Sequence, residues 1–163
     1  MYRVGIVTIS DKGAVGLRED VSGPTIKKIV EEFGYTVTEM ALIPDEPDQI
    51  SEILRIWSDE NKTDLILTTG GTGFSMRDQT PEATLAIAER VVPGIAEAIR
   101  SYSMTITKRA MLSRGVACIR KKTLIVNMPG SPKAVKEILD YCLDTWAHGL
   151  GVLIGSETDC ARK

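Results

Sequence analysis

The stretch TTGGTGFSMRDQTPEAT, from Thr68 to Thr84, follows the short apolar run Leu65 to Leu67 and decides how the chain is interpreted. Thr80-Pro81-Glu82 is a helix-start signal, because Thr can cap a helix, Pro suits the first helical position and Glu complements the dipole. We therefore predict a strand, a glycine loop and a helix that runs to about Arg90.

The glycines at 70, 71 and 73 allow backbone N–H groups to approach an anion closely, and the Thr80 helix offers its positive end nearby. The loop resembles a phosphate site in these physical terms. It matches neither G-x-x-x-x-G-K-[ST] nor G-x-G-x-x-G, so a P-loop ATPase or a Rossmann dehydrogenase is a poor fit. The alternative is that the glycines only turn the chain.

Upstream, the pattern alternates strands with helices. We predict strands at Val4 to Ile9 and Tyr35 to Ile43, a helix from Pro24 to about Phe33 that Gly34 ends, and a helix ending near Asn61 whose apolar stripe comprises Ile50, Ile53, Leu54 and Trp57. Each strand leads into a polar or glycine-rich loop.

Downstream, Pro93-Gly94 separates the Thr80 helix from a helix at Ile95 to Tyr102. Val116 to Ile119 and Leu124 to Val126 form a candidate hairpin, and a long helix through Trp146 precedes Gly149 to Gly155 and a polar tail. The order predicts one α/β domain, residues 1–163, with a mostly parallel sheet and ligands outside the carboxyl ends of its strands.

Composition excludes several classes of protein. The 163 residues carry a net charge of −2, which favours neither nucleic acid nor an anionic membrane as a partner. Cys118, Cys142 and Cys160 are odd in number and lack C-x-x-C spacing, so a disulfide framework or zinc site is not expected. Without a signal-peptide core or a run of transmembrane length, we expect a cytoplasmic protein that binds a small ligand.

Two acids follow predicted strands. Asp78 precedes the Thr80 helix, and since Thr80 is the better cap, Asp78 is free to meet Mg²⁺, which prefers oxygen ligands. Asp45 follows the second strand and could stand across the same cleft. The alternative for Asp45 is a cap on the helix that contains Ile50.

The same residues carry a family resemblance. The opening stretch, together with PDE at Pro44 to Glu46, MLSR at Met111 to Arg114 and NMPGSP at Asn127 to Pro132, resembles the molybdopterin adenylyltransferase family over about Arg3 to His148. The resemblance implies a three-layer α/β/α fold of the MogA and MoaB type. Arg77 before Asp78 is more similar to the MogA and gephyrin branch than to MoaB.

The resemblance also implies a reaction. ATP and molybdopterin give adenylyl-molybdopterin and pyrophosphate with Mg²⁺, ahead of metal insertion, and the terminal phosphate of the pterin is the nucleophile. The lack of a convincing Ser-His or Cys-His arrangement agrees with this. A non-catalytic molybdopterin-binding scaffold is the alternative from another class.

Site residues follow from the resemblance, position by position. Asp45 and Asp78 are the expected catalytic acids and Mg²⁺ ligands. The expected nucleotide and molybdopterin pocket comprises Ser10, Asp11, Thr69, Gly70, Gly71, Thr72, Gly73, Arg77, Ser113, Arg114, Pro129, Gly130 and Ser131. Arg77 is equally well interpreted as a solvated loop cation.

The family further implies a homotrimer and, as a partner, the downstream metal-insertion protein. Trp146 and the Gly149 to Gly155 segment give this assembly only weak support. Trp57 and Trp146 lie on helical apolar stripes and are expected in the core or an interface. His148, the single histidine, is expected at a helix C-terminus rather than in catalysis.

Overall fold

The computed structural model describes residues 1–156. Among them, six strands form one sheet: β1 (Arg3–Ile9), β2 (Thr36–Ile43), β3 (Leu65–Thr69), β4 (Arg90–Val91), β5 (Ala117–Arg120) and β6 (Thr123–Met128). The strand order is β2-β1-β3-β6-β5-β4. The pairs β1–β2, β1–β3 and β3–β6 are parallel, whereas β5 runs antiparallel to both of its neighbours. The prediction of a mostly parallel sheet is confirmed.

Helices cover both faces of the sheet: α1 (Asp11–Ala14), α2 (Ser22–Glu32), α3 (Pro47–Asp59), α4 (Thr80–Ala86), α5 (Pro93–Met104) and α6 (Pro132–Ile154). On one face, α2, α5 and α6 contribute Ile26, Ile99 and Leu139 to the core. On the other face, α3 and α4 contribute Leu54 and Ala83. The fold is therefore a three-layer α/β/α sandwich, as the resemblance implied.

The central strands are buried on both sides, and their alternation decides which layer each side chain joins. Leu65 and Leu67 pack with the α2, α5 and α6 layer, whereas Ile66 between them packs with the α3 and α4 layer. This two-residue period is the geometry of a strand covered on both faces. Among residues 1–156, no helix has both the length and the apolarity to cross a bilayer.

Two predicted helix ends are wrong. The Thr80 helix ends at Ala86 rather than Arg90, because Arg90 and Val91 pair with β5 as a short antiparallel strand. The final helix runs through Gly149 to Ile154 and ends at Gly155, whose φ is +82°. Buried Leu150 continues its apolar face, and this packing overrides the low helix propensity of glycine.

Two short elements were not predicted. The segment after β1 forms α1, which Ser10 caps by accepting a hydrogen bond from the Gly13 N–H at 3.1 Å. A 3-10 helix at Lys108–Leu112 follows α5. The predicted hairpin, in contrast, is present as β5 and β6.

The loops that follow β1, β2, β3 and β6 leave the same edge of the sheet, because these four strands are parallel. The glycine loop follows β3, which lies between β1 and β6 and is one of the two inner strands of the parallel group. Residues from these loops therefore meet at the carboxyl ends of the strands, where α/β folds bind ligands.

Candidate active site

The glycine loop after β3 requires glycine at two positions. Gly70 has φ +100°, and a Cβ there would lie 2.3 Å from the carbonyl oxygen of Ile9. Gly71 has φ +66°, and a Cβ there would lie 2.2 Å from Thr80 Oγ1. Both distances are far shorter than a van der Waals contact, so the loop follows this path only because these residues lack a side chain.

Thr80 anchors the loop and does not cap its helix. Its hydroxyl donates to the Gly70 carbonyl oxygen at 3.0 Å, and its N–H donates to the Gly71 carbonyl oxygen at 3.1 Å. Gln79 occupies the cap position and makes no side-chain capping hydrogen bond. The prediction of a Thr80 cap is therefore wrong, since the side chain is engaged by the glycine loop.

A cavity of about 680 Å³ opens at this edge of the sheet. The sequence-predicted residues that line it are Ser10, Asp45, Thr69, Gly70, Gly71, Thr72, Gly73, Asp78 and Gly130. The structure thus brings both acids, the whole glycine loop and part of the β6 loop to one concave surface.

The two acids stand against the glycine loop. A Cβ on Gly71 would lie 3.1 Å from Asp45 Oδ1, and a Cβ on Gly73 would lie 2.9 Å from Asp78 Oδ2. Asp45 is only 8% exposed, and its carboxylate accepts a hydrogen bond from the Asp11 N–H at 2.9 Å. It makes no capping hydrogen bond to α3, whose cap position is Glu46, so the capping alternative is not observed.

The pKa values of Asp45 and Asp11, two neighbouring carboxyl groups, are shifted in opposite directions. Burial raises the pKa of Asp45, and the nearby carboxylates of Asp11 and Asp78 raise it further. The guanidinium of Arg77 holds the pKa of Asp11 below its usual value through hydrogen bonds. The surroundings of Asp45 therefore disfavour its ionised form, and a bound cation would relieve this cost.

Arg77 is a bracing cation outside the cavity lining. Its Nε and Nη2 donate to the Asp11 carboxylate at 3.0 and 2.9 Å, and Nη2 also donates to Glu46 Oε1 at 2.6 Å. Arg77 thereby joins the loop that carries Asp78 to the loops after β1 and β2. Neither Arg77 nor Asp11 lines the cavity directly.

Arg114 supports the glycine loop from outside the cavity. Its guanidinium donates to the carbonyl oxygens of Gly73 at 2.8 Å and Asp78 at 2.5 Å, and it forms an ion pair with Glu82. Its own N–H donates to the Thr72 carbonyl oxygen at 2.9 Å. Arg114 does not line the cavity, and its contacts position the ends of the loop.

Three further residues predicted for the pocket, Ser113, Pro129 and Ser131, lie outside the lining of the larger cavity. Pro129 accepts a hydrogen bond from Thr69 Oγ1 at 2.7 Å, and Ser131 caps α6 by accepting from the Ala134 N–H at 3.4 Å. Ser113 and Pro129 line a second cavity of about 290 Å³, which shares Thr72 and Gly73 with the first. The structure therefore does not bring Ser113, Pro129 or Ser131 into the lining of the larger cavity.

The sequence reasoning missed one wall of the cavity. Asp20 accepts hydrogen bonds from Thr8 Oγ1 at 2.8 Å and from the Gly23 N–H at 2.9 Å, while Ser22 Oγ donates to the Gly130 carbonyl oxygen at 2.8 Å. Thr8, Asp20 and Ser22 all line the cavity. One feature of the sequence could have identified Asp20: it is an acid just before the start of a helix and three residues before Gly23, a position typical of a capping residue.

The donor set fits Mg²⁺. Two carboxylates, those of Asp45 and Asp78, lie on the cavity wall. Proteins usually bind Mg²⁺ through one or two carboxylates, and waters and substrate phosphates complete its coordination shell. In the part of the chain that the structure describes, no group of three or more His, Cys, Asp or Glu side chains forms a metal site by itself. The arrangement thus matches a metal that arrives with its phosphate ligands.

The cysteines, tryptophans and histidine considered in the sequence analysis do not line the cavity, as far as the structure describes them. Cys118 and Cys142 are free and buried, and burial raises their pKa values to about 12 and about 11, so both remain neutral thiols. Cys160 lies outside the described residues. Trp57 and Trp146 pack in the two cores, and His148 is exposed within α6 rather than at its end.

Comparison with known proteins assigns the family. A family described as "probable molybdopterin binding domain" matches residues 5–148. The molybdopterin adenylyltransferase of Escherichia coli K12 is 44% identical over 144 residues, which cover 87% of this chain and 74% of that protein. The enzyme of the same name from Haemophilus influenzae is 42% identical over 146 residues, which cover 88% and 74%. The structure of the molybdopterin biosynthesis enzyme MoaB from Thermus thermophilus has a TM-score of 0.90 at 46% identity and covers 95% of this chain and 98% of that one. The chain therefore belongs to the molybdopterin adenylyltransferase family.

Proposed function

We propose that the chain transfers AMP from ATP to the terminal phosphate of molybdopterin. An oxygen of the pterin phosphate bonds to the α-phosphorus of ATP, the bond from that phosphorus to the bridging oxygen breaks, and pyrophosphate leaves. The names of the relatives support this activity. The observation that carries it is the placement of Asp45, Asp78 and the glycine loop around one cavity of about 680 Å³.

The reaction needs positioning and charge neutralisation rather than a protein nucleophile. Within the loop, the backbone N–H groups of Gly71, Thr72 and Gly73 would orient the phosphates, whereas the Gly70 N–H already donates to the Met128 carbonyl oxygen. Thr80, Arg114 and Arg77 fix the carbonyls and side chains that set the path of this loop. In a preorganised loop, these donors do not have to be reordered as charge develops in the transition state.

The charge of the cavity supports a requirement for Mg²⁺. Four carboxylates line it, those of Glu19, Asp20, Asp45 and Asp78, whereas both proposed substrates are anionic. Repulsion between these carboxylates and the phosphate groups of the substrates disfavours binding. We infer that Asp45 and Asp78 hold Mg²⁺, which would neutralise the transferring phosphate when bound.

The test is direct. Purified protein is incubated with molybdopterin, ATP and Mg²⁺, and both adenylyl-molybdopterin and pyrophosphate are measured. We expect both products in equal amounts, and neither when Mg²⁺ is chelated. The proposal is overturned if no product forms from molybdopterin that a known adenylyltransferase converts under the same conditions.

A MoaB-type role is the second candidate, because the fold and sequence are also close to those of the Thermus thermophilus MoaB. The same incubation separates the two candidates when molybdopterin binding is measured in parallel. Tight binding of molybdopterin without adenylyl transfer favours the second candidate, and transfer favours the first.

We also infer that the protein assembles as a homotrimer. Trp146 no longer supports this, because it is buried within the chain. Support comes from exposed apolar side chains that run from the end of α5 to the end of the 3-10 helix, namely Met104, Ile106, Met111 and Leu112. Sedimentation at micromolar concentration should give a trimer, and a stable monomer would overturn the inference.

A further inference from the structure

The charged lining of the large cavity contains one cation. Glu19, Asp20, Asp45 and Asp78 contribute carboxylates, and among the described lining residues only Arg18 is basic. Molybdopterin and ATP both carry phosphate groups. Arg18 is therefore the one side chain of this wall whose charge attracts either substrate without a metal.

Other arginines near the site are already occupied. Arg77 is paired with Asp11 and Glu46, and Arg114 is paired with Glu82 and two carbonyl oxygens. Neither of them lines the cavity. Both would have to break several hydrogen bonds before they could bind a ligand.

Arg18 has no such competing contacts. Within residues 1–156, its guanidinium forms no hydrogen bond or ion pair. An arginine carries five N–H donors in a planar fork that matches the oxygens of a phosphate group. All of these donors are available to a ligand in the cavity.

The segment that carries Arg18 is anchored beside the cavity. Asp20, two residues on, is fixed by Thr8 on β1 and by the start of α2. Before Arg18, Leu17 is 78% exposed, and Gly16 has φ +75°. On the other side, the Leu17 N–H donates to the Lys12 carbonyl oxygen at 2.8 Å. The backbone is thus held on both sides of Arg18, whereas the side chain of Arg18 is exposed and can turn towards a ligand.

We propose that Arg18 binds a phosphate group of a substrate in this cavity, supplying the cationic contact that its other walls lack. This inference rests on the proposed function for the nature of the ligand. The shared chemistry is a phosphate group, which either ATP or molybdopterin supplies. The contact is a charge-assisted hydrogen bond at a partly open site, so it is sensitive to salt.

The experiment measures binding rather than turnover, so its outcome does not depend on the transferase assay. Mg²⁺–ATP and molybdopterin are titrated separately into the full chain, Arg18→Gln and Arg18→Lys at low and high salt. Arg90→Gln is the matched control, because Arg90 is an exposed arginine on β4, at the far edge of the sheet from the β1 and β2 loops.

We expect Arg18→Gln to weaken binding of one ligand by about tenfold, the loss typical of one charge-assisted hydrogen bond. Arg18→Lys should recover part of the affinity, and added salt should shrink the difference. A loss with only one ligand identifies the source of the phosphate, and a loss with both places the guanidinium between two phosphate groups. Unchanged affinity for both ligands, or an equal loss in Arg90→Gln, would overturn the proposal.

Discussion

Asp11 and Asp45 hold each other through reciprocal hydrogen bonds. The Asp11 N–H donates to the Asp45 carboxylate at 2.9 Å, and the Asp45 N–H donates to the Asp11 carboxylate at 3.0 Å. The pair joins the loop after β1 to the loop after β2, and Arg77 adds the loop after β3 through the same Asp11 carboxylate. The position of the buried acid is therefore set by three loops together.

The first prediction concerns Asp45→Asn, which keeps the hydrogen-bond acceptor and removes the charge. Because the pKa of Asp45 is raised in the folded protein, the native state binds more protons than the unfolded state just above the ordinary value of 3.8. Stability of the parent should therefore fall as pH rises through this range. We expect Asp45→Asn to lose adenylyl transfer yet unfold at a higher temperature than the parent at pH 7.

Thermal unfolding of both proteins between pH 4 and pH 8 checks this expectation. The difference in unfolding temperature between Asp45→Asn and the parent should grow with pH until Asp45 in the parent is fully ionised. A variant that is less stable than the parent throughout would show that the carboxylate is stabilised in the fold, contrary to the direction of its pKa.

The second prediction concerns Asp78→Asn. In the parent, Asp78 accepts a hydrogen bond from the Ser75 N–H at 3.0 Å. The near-isosteric amide keeps an oxygen that can accept the same hydrogen bond, so the loop should remain folded. If Asp78 helps to hold Mg²⁺ at the nucleotide, the transfer rate should fall roughly a hundredfold or more. Molybdopterin affinity should change far less. A rate within a few-fold of the parent, measured on a folded variant, would return Asp78 to a purely structural role.

The third prediction compares two glycines on the cavity wall. Gly70→Ala places a methyl group 2.3 Å from the Ile9 carbonyl oxygen at φ +100°, whereas a Cβ on Gly130 would meet its nearest atom at an ordinary 3.5 Å. Gly70→Ala should lower the free energy of unfolding by about 1–3 kcal/mol or more. Gly130→Ala should leave it nearly unchanged. Chemical denaturation measures both, and equal effects would contradict the close approach of β1 to the loop.

The fourth prediction concerns Arg77→Ala. Arg77 lowers the pKa of Asp11 in the folded protein, so its contribution to stability is present above the ordinary value of 3.8 and is lost as pH falls through the lowered value. The variant should therefore unfold at a lower temperature than the parent at pH 7, and the two should converge in acid. A difference that is independent of pH would assign the effect of Arg77 to packing rather than charge.

The architecture was predictable because its signals are local. The strand and helix patterns around Leu65, Ile50 and Pro24 are strong, and the elements lie where these patterns place them. The end of α4 was not predictable, because Arg90 and Val91 gain their hydrogen bonds from β5, which is distant in sequence. Helix propensity carries no information about such a partner.

The same distinction applies to the site. The glycine loop and the two acids are visible as motifs, and they line one cavity. Asp20 carries only the signal of a capping acid and Arg18 carries none, since their placement at the cavity follows from the path of the chain between β1 and α2. Arg114 was expected to contact a ligand, but its hydrogen bonds to Gly73 and Asp78 show a cation engaged by the loop itself.

The parallel pairing of β3 with β1 and β6 has a consequence for the order of folding. The β5–β6 hairpin joins neighbouring segments and can form early, whereas β3 must find two strands that are remote in sequence, and such contacts form slowly. The Thr69–Pro129 and Gly70–Met128 hydrogen bonds at the base of the glycine loop require the β3–β6 pairing. We therefore expect the cavity to be among the last parts of the molecule to become ordered during refolding.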